Sequence, residues 1–179
     1  MKTFKLLSCC VLLTFPVSLG AQSNSTFSGS DSVKKFVQGF YDWYVPKALS
    51  NNSEPASNTA LKEKGNLLSS ELLQKLREDA EAQAHAEGEI VGLDFDPFLS
   101  GQDPGWHYSV GKVVPNGESY FVEVYRVVPG KPAGRILAVT AEVRGKNGHW
   151  YFVNFFYPNG HNLLGVLKAL KDDRVKANP

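Results

Sequence analysis

The chain has 179 residues, 42% of them hydrophobic, which suits one domain with a sizeable buried core. Lys and Arg number 19 against 18 Asp and Glu, so the formal net charge is only +1. With no Lys/Arg-rich run, composition argues against a nucleic-acid binder.

Residues 1–20 read as an export signal. Lys2 and Lys5 form a positive start, and Leu6 to Leu19 is apolar but too short to span a bilayer. Ser18-Leu19-Gly20 before Ala21 places small residues where a signal peptidase cuts. The expected location is periplasmic or secreted, with no membrane span in the mature chain. Cys9 and Cys10 both lie in this segment, so the mature fold has no disulfide and no thiol nucleophile.

Residues 21–30 are rich in Ser and Asn and read as a disordered lead-in. The domain proper is expected over 31–171, with a charged tail over 172–179. Val33, Phe36, Val37, Phe40, Tyr41 and Tyr44 recur at helical spacing, which predicts a first helix from Ser32 to Val45, ended by Pro46. Tyr41 and Tyr44 carry polar tips that need partners if buried. Residues 51–58 read as a loop. Leu67, Leu68, Leu72, Leu73 and Leu76 predict a second helix, capped by Ser69 or Ser70 and stopped by Gly88. Its charged run, Arg77 to His85, reads as a solvated face.

Asp94 to Asp103 is a polar stretch between the helices and a series of strands. Strands are predicted at 106–114, 119–128, 135–144 and 149–157, with turns at Pro115-Asn116-Gly117 and Asn147-Gly148. Residues 162–170 read as a short C-terminal helix. Helices, then an antiparallel meander, then one helix define an α+β class. The last strand is aromatic on both sides, so both faces of the sheet need cover, the outer one from the tail helix or from a second subunit in a homodimer.

Familiar catalytic patterns are missing. Asp94-x-Asp96 begins like a calcium loop, but Pro97 follows and Gly105 stands where the closing Glu is needed. There is no Gly-x-Ser-x-Gly and no zinc-type His pair. The sequence calls for no metal and no cofactor. The candidate ligand-binding residues are the polar tips on otherwise apolar elements: Tyr41, Tyr44, Asp96, Gln102, Asp103, Tyr125, Arg126 and Asn154. The Asp residues also fit plain turn chemistry, and Asn154 fits structural pairing equally well.

Phe40-Tyr41-Asp42-Trp43-Tyr44, Asp96-Pro97-Phe98-Leu99 with Gln102-Asp103, and Trp150-x-Phe152-x-Asn154-Phe155-x-Tyr157 together resemble a family of secreted bacterial proteins known as a domain of unknown function. That family resembles the nuclear-transport-factor-2-like, or cystatin-like, α+β cone. The resemblance spans Ser32 to Leu170. It implies a curved sheet around the long first helix, a small-molecule pocket at the open mouth, and a dimer through the outer face. It also implies Asp where this chain has Asn154. The wider superfamily includes binding modules, scaffolds, isomerases and dehydratases, so fold alone does not choose among them.

Three functions are compatible with these features. The first is a non-enzymatic exported protein that binds a small polar or amphipathic ligand, or a protein partner, in the cone. The second is an isomerase- or hydrolase-like enzyme with Asp96 or Asp103 as base and Tyr41 or Tyr125 as hydrogen-bond donor. The third is a protein inhibitor or immunity-type binding module.

Overall fold

The computed structural model describes residues 25–50, 53–130 and 134–177. The expected export signal lies outside the described residues. The elements are α1 (Ser25–Ala48), α2 (Ala56–Glu63), a 3-10 turn (Gly65–Leu67), α3 (Ser70–His85), β1 (Tyr108–Asn116), β2 (Ser119–Val127), β3 (Arg135–Lys146), β4 (His149–Phe156) and α4 (Leu163–Ala177). The strands form one open antiparallel sheet in the order β1-β2-β3-β4. The α+β class expected from the sequence is the class observed.

Three helix boundaries differ from expectation. The lead-in expected over 21–30 is helical from Ser25. A Cβ at Gly29 would meet the Tyr120 hydroxyl at 2.7 Å, so glycine lets the helix lie against that ring. Pro46 does not end α1; it sits in the last turn, where a missing N–H costs one bond. The Leu49 and Ser50 amides still close that turn onto Val45 and Lys47. The tail read over 172–179 continues α4 as far as Ala177.

The sheet's inner face is apolar. Val122, Val124, Val139, Ala141, Val143, Phe152 and Phe155 have no solvent exposure. Phe36 and Phe40 of α1 meet the Phe152 ring at 4.8 and 5.0 Å. Each large side chain buried here contributes roughly 1.5–3 kcal/mol. α1 also covers part of the β1 edge. The Gln38 amide donates to the Tyr108 carbonyl at 3.1 Å and accepts from the Val110 amide at 2.9 Å, standing in for a neighbouring strand.

The two tight hairpins close differently. Asn147 and Gly148 have φ of 52° and 77°, the pair of positive angles a type I′ turn requires. In the first hairpin Asn116 pairs with Ser119 as the last strand residue, and the loop is Gly117-Glu118. Gly117 alone has positive φ there, so the expected Asn116-Gly117 type I′ turn does not form.

α3 is N-capped by Ser69, whose Oγ accepts from the Leu72 amide at 3.3 Å. The Ser69 amide donates to the Phe152 carbonyl at 2.7 Å, which ties this entry to the β4 edge. α4 packs against α3 and β4 through the buried Leu163 and Leu167. On the outer sheet face Phe121 and Phe156 pack edge to face at 5.4 Å.

Candidate functional site

Asp96 organises its loop as a cap. Its Oδ1 accepts from the Phe98 and Leu99 amides at 2.9 and 3.1 Å, and its carbonyl accepts from the Ser100 amide at 2.9 Å. Asp followed by Pro is the natural start of such a single turn, since Pro97 has no amide to satisfy. Ser100 closes it in the left-handed region at φ 59°, and the Asp96 amide then donates to the Gly101 carbonyl at 3.0 Å.

Three tyrosine hydroxyls fasten this turn to the core. Tyr44 donates to Asp96 Oδ2 at 2.6 Å, Tyr41 to the Phe98 carbonyl at 2.8 Å, and Tyr157 to the Pro97 carbonyl at 3.1 Å. Phe98 itself is fully buried, edge-on to Phe40, Tyr44 and Phe155 at 5.2 to 5.4 Å. Burial pushes the Asp96 carboxyl up to about 6, against the opposing pull of the Tyr44 hydroxyl and the two amides. Burial likewise raises Tyr41, Tyr44 and Tyr157 above the ordinary phenol value, with the Asp96 charge adding to the effect.

The turn forms one wall of a cleft of about 610 Å³. α2 and α3 form the others. The cleft does not occupy the interior of a cone: the space between α1 and the sheet is filled by Phe40, Tyr41, Tyr44, Phe98 and Phe152. Its surface is mainly apolar, with Leu61, Leu76, Ala80, Ala84 and Phe95 among the lining side chains. Ile90, at the rim, is 75% exposed.

Besides Asp96, three polar side chains along the cleft, Asp79, Gln83 and Gln102, are engaged by the scaffold. Asp79 is 3% exposed. Its Oδ1 accepts from Arg174 Nη1 at 2.7 Å and its Oδ2 from the Leu93 amide at 2.9 Å. Gln83 Oε1 accepts from the Val91 and Gly92 amides, while Nε2 donates to the Glu89 carbonyl. Gln102 Nε2 donates to the Asp94 carbonyl at 2.8 Å. Among the described residues no group of three or more His, Cys, Asp and Glu converges to hold a metal.

The eight residues singled out from the sequence do not form one site. Tyr41, Tyr44 and Asp96 meet at the turn, and Gln102 lines the same cleft. Asp103 is exposed beside it. Tyr125 is elsewhere, donating to Glu123 Oε2 at 2.8 Å under the Arg135 guanidinium. Arg126 is exposed and its stem packs on Gly105, where a Cβ would come within 2.7 Å of it. Asn154, on β4, is buried against the start of α4: Nδ2 donates to Asn162 Oδ1 at 3.1 Å, and Oδ1 accepts from the Leu164 amide at 3.1 Å. Asn162 Oδ1 also accepts from the Gly165 amide, so the two amides cap α4 together.

Two parts of the cleft escaped the sequence. α2 overlaps the loop expected over 51–58 and runs on through 59–63, where no element is expected, because an eight-residue helix with only Ala60 and Leu61 buried leaves too short a periodic trace. Asp79 and Gln83 fall in the run expected to be a solvated face, yet Asp79 is buried and both are bonded to the Glu89–Leu93 segment. The signal was present, since Leu72, Leu76, Asp79 and Gln83 fall on one helical stripe.

The fold is therefore an open α+β sheet backed by α1, with a cleft among α2, α3 and the Asp96 turn. No protein-family model matches the chain, and no curated protein matches it. Among solved structures it is similar to a chain of the type VI native effector–immunity complex Tae3–Tai3 from Ralstonia pickettii. That likeness has 20% identity and a TM-score of 0.47 over 67% of this chain and 89% of that chain. It is also similar to a protein of unknown function from Bacteroides thetaiotaomicron, at 22% identity and a TM-score of 0.47 over 73% of this chain and 96% of that chain. Likenesses this distant carry no functional argument. Among the described residues no helix is long and apolar enough to cross a membrane.

Proposed function

We propose that this is an exported binding module whose cleft among α2, α3 and the Asp96 turn takes an apolar or amphipathic ligand surface. One observation carries the reading: Asp79, Gln83, Asp96 and Gln102 along the cleft already serve its own walls, and what faces the opening is largely apolar. A volume of about 610 Å³ falls within the range of ligand-binding clefts. Export rests on the charged start, apolar stretch and small-residue cut site of residues 1–20.

The enzyme reading draws on the 2.6 Å contact between Tyr44 and Asp96, a carboxyl and a phenol in hydrogen-bond reach. The same carboxylate accepts from two amides of its own turn. A general base needs a free lone pair aimed at substrate, so the capping role accounts better for this geometry.

The test uses Nile red, an uncharged apolar dye. Its emission is expected to rise and shift to the blue on titration with the protein. Ala84→Gln, on an exposed helical position lining the cleft, is expected to remove that response without lowering the urea midpoint. A dye response that survives both Ala84→Gln and Ala80→Gln would rule the cleft out as the site.

A further inference from the structure

The occupant of the cleft has a chemistry that the surrounding charges select. A second cleft, of about 300 Å³, lies between α2 and α3 and shares Asn58, Leu61 and Ala80 with the first. The two adjoin along the α2–α3 seam, meeting at these three residues. A groove that continues past a single compartment suits a chain whose side chains enter at intervals.

Its margin is acidic. Between Arg77 and Lys112 the chain contains no Lys or Arg. Glu78 and Asp79 in that stretch are answered by Lys171 and Arg174. Glu81, Glu87, Glu89, Asp94 and Asp103 are exposed, and none forms an ion pair with a described residue. Asp94 lines the first compartment and Glu81 the second. At the far end Lys62 is taken by Glu54, which leaves Arg77, among the described residues, as the cation facing the groove without an ion pair. Unanswered carboxylates beside an apolar floor attract a partner of opposite sign and repel an anionic lipid surface.

Resting on the binding reading above, we infer that the groove accepts a basic amphipathic segment of a protein partner, apolar face inward and Lys or Arg against the Glu81–Asp94 margin. Such a segment buries apolar surface for affinity and uses the charges for orientation and rate of encounter.

The experiment compares two labelled peptides by fluorescence anisotropy on the mature protein. One is an amphipathic helix of Leu and Lys; the other has Glu at every Lys position. The Lys peptide is expected to bind roughly tenfold or more tightly than the Glu peptide, with the preference shrinking as salt rises. Glu81→Lys with Asp94→Lys is expected to reverse the order of the two peptides, since both positions are exposed and outside the core. Ala84→Gln is expected to weaken the Lys peptide. Equal binding of both peptides would overturn the charge inference and leave the apolar cleft standing. Nile red binding without peptide binding would overturn the protein-partner class. Failure of dye and peptides together would overturn the binding reading itself.

Discussion

The Tyr44 hydroxyl donates to Asp96 Oδ2 at 2.6 Å, joining helix α1 to a turn 52 residues away in the chain. That bond, with those of Tyr41 and Tyr157, fixes the wall of the cleft. Removing the donor leaves the carboxyl with its two amide partners and one face unsatisfied. Tyr44→Phe is therefore expected to lower stability by about 1–2 kcal/mol. Urea unfolding checks this: the midpoint should fall while the slope stays constant.

The same carboxyl sets a pH dependence. Its folded value, about 6, lies above the ordinary 3.8, so folding favours the protonated form. The stability it contributes is fully present below about 3.8 and is lost as pH rises through about 6. Asp96→Asn cannot titrate but keeps an oxygen for the Phe98 and Leu99 amides. Measured as urea midpoints from pH 4 to pH 7, the gap between the two proteins should move in favour of Asn as pH rises. A constant gap would show that Asp96 titrates alike in both states.

The buried pair of Asp79 and Arg174 joins α3, α4 and the Val91 carbonyl. Arg174→Met strands a carboxylate that is 4% exposed at its side chain. The expected cost is about 3 kcal/mol, the lower end for breaking a buried pair, because the Arg174 side chain keeps 20% exposure. Asp79→Asn together with Arg174→Met removes the stranded charge while preserving an acceptor for the Leu93 amide. The double variant should recover part of the loss, which a double-mutant cycle reads directly.

Asn162→Ala removes an N-cap and the acceptor of Asn154 Nδ2 at once. The expected loss is about 1–2 kcal/mol. Hydrogen exchange of the Leu164, Gly165 and Val166 amides should rise first, since the damage begins at the start of α4.

Much of this protein was determined locally. Alternating residues in Arg135 to Lys146 set one sheet face inward, and Asn147-Gly148 set the turn that follows. Ser69 supplied a cap, and Asp96-Pro97 a turn, from side chains that reach only their own neighbouring amides. These features need two to four residues of context, so the chain order of an α+β fold could be read directly. Only the tertiary structure decided where the tyrosine hydroxyls end, that Asn154 meets Asn162, and that Asp79 is buried by an arginine 95 residues away. It also placed the cleft outside the sheet, because the aromatic side chains of α1 fill the space the cone would leave open. Periodicity reports which face of an element is apolar; which polar partner or opening that face meets depends on how distant elements pack.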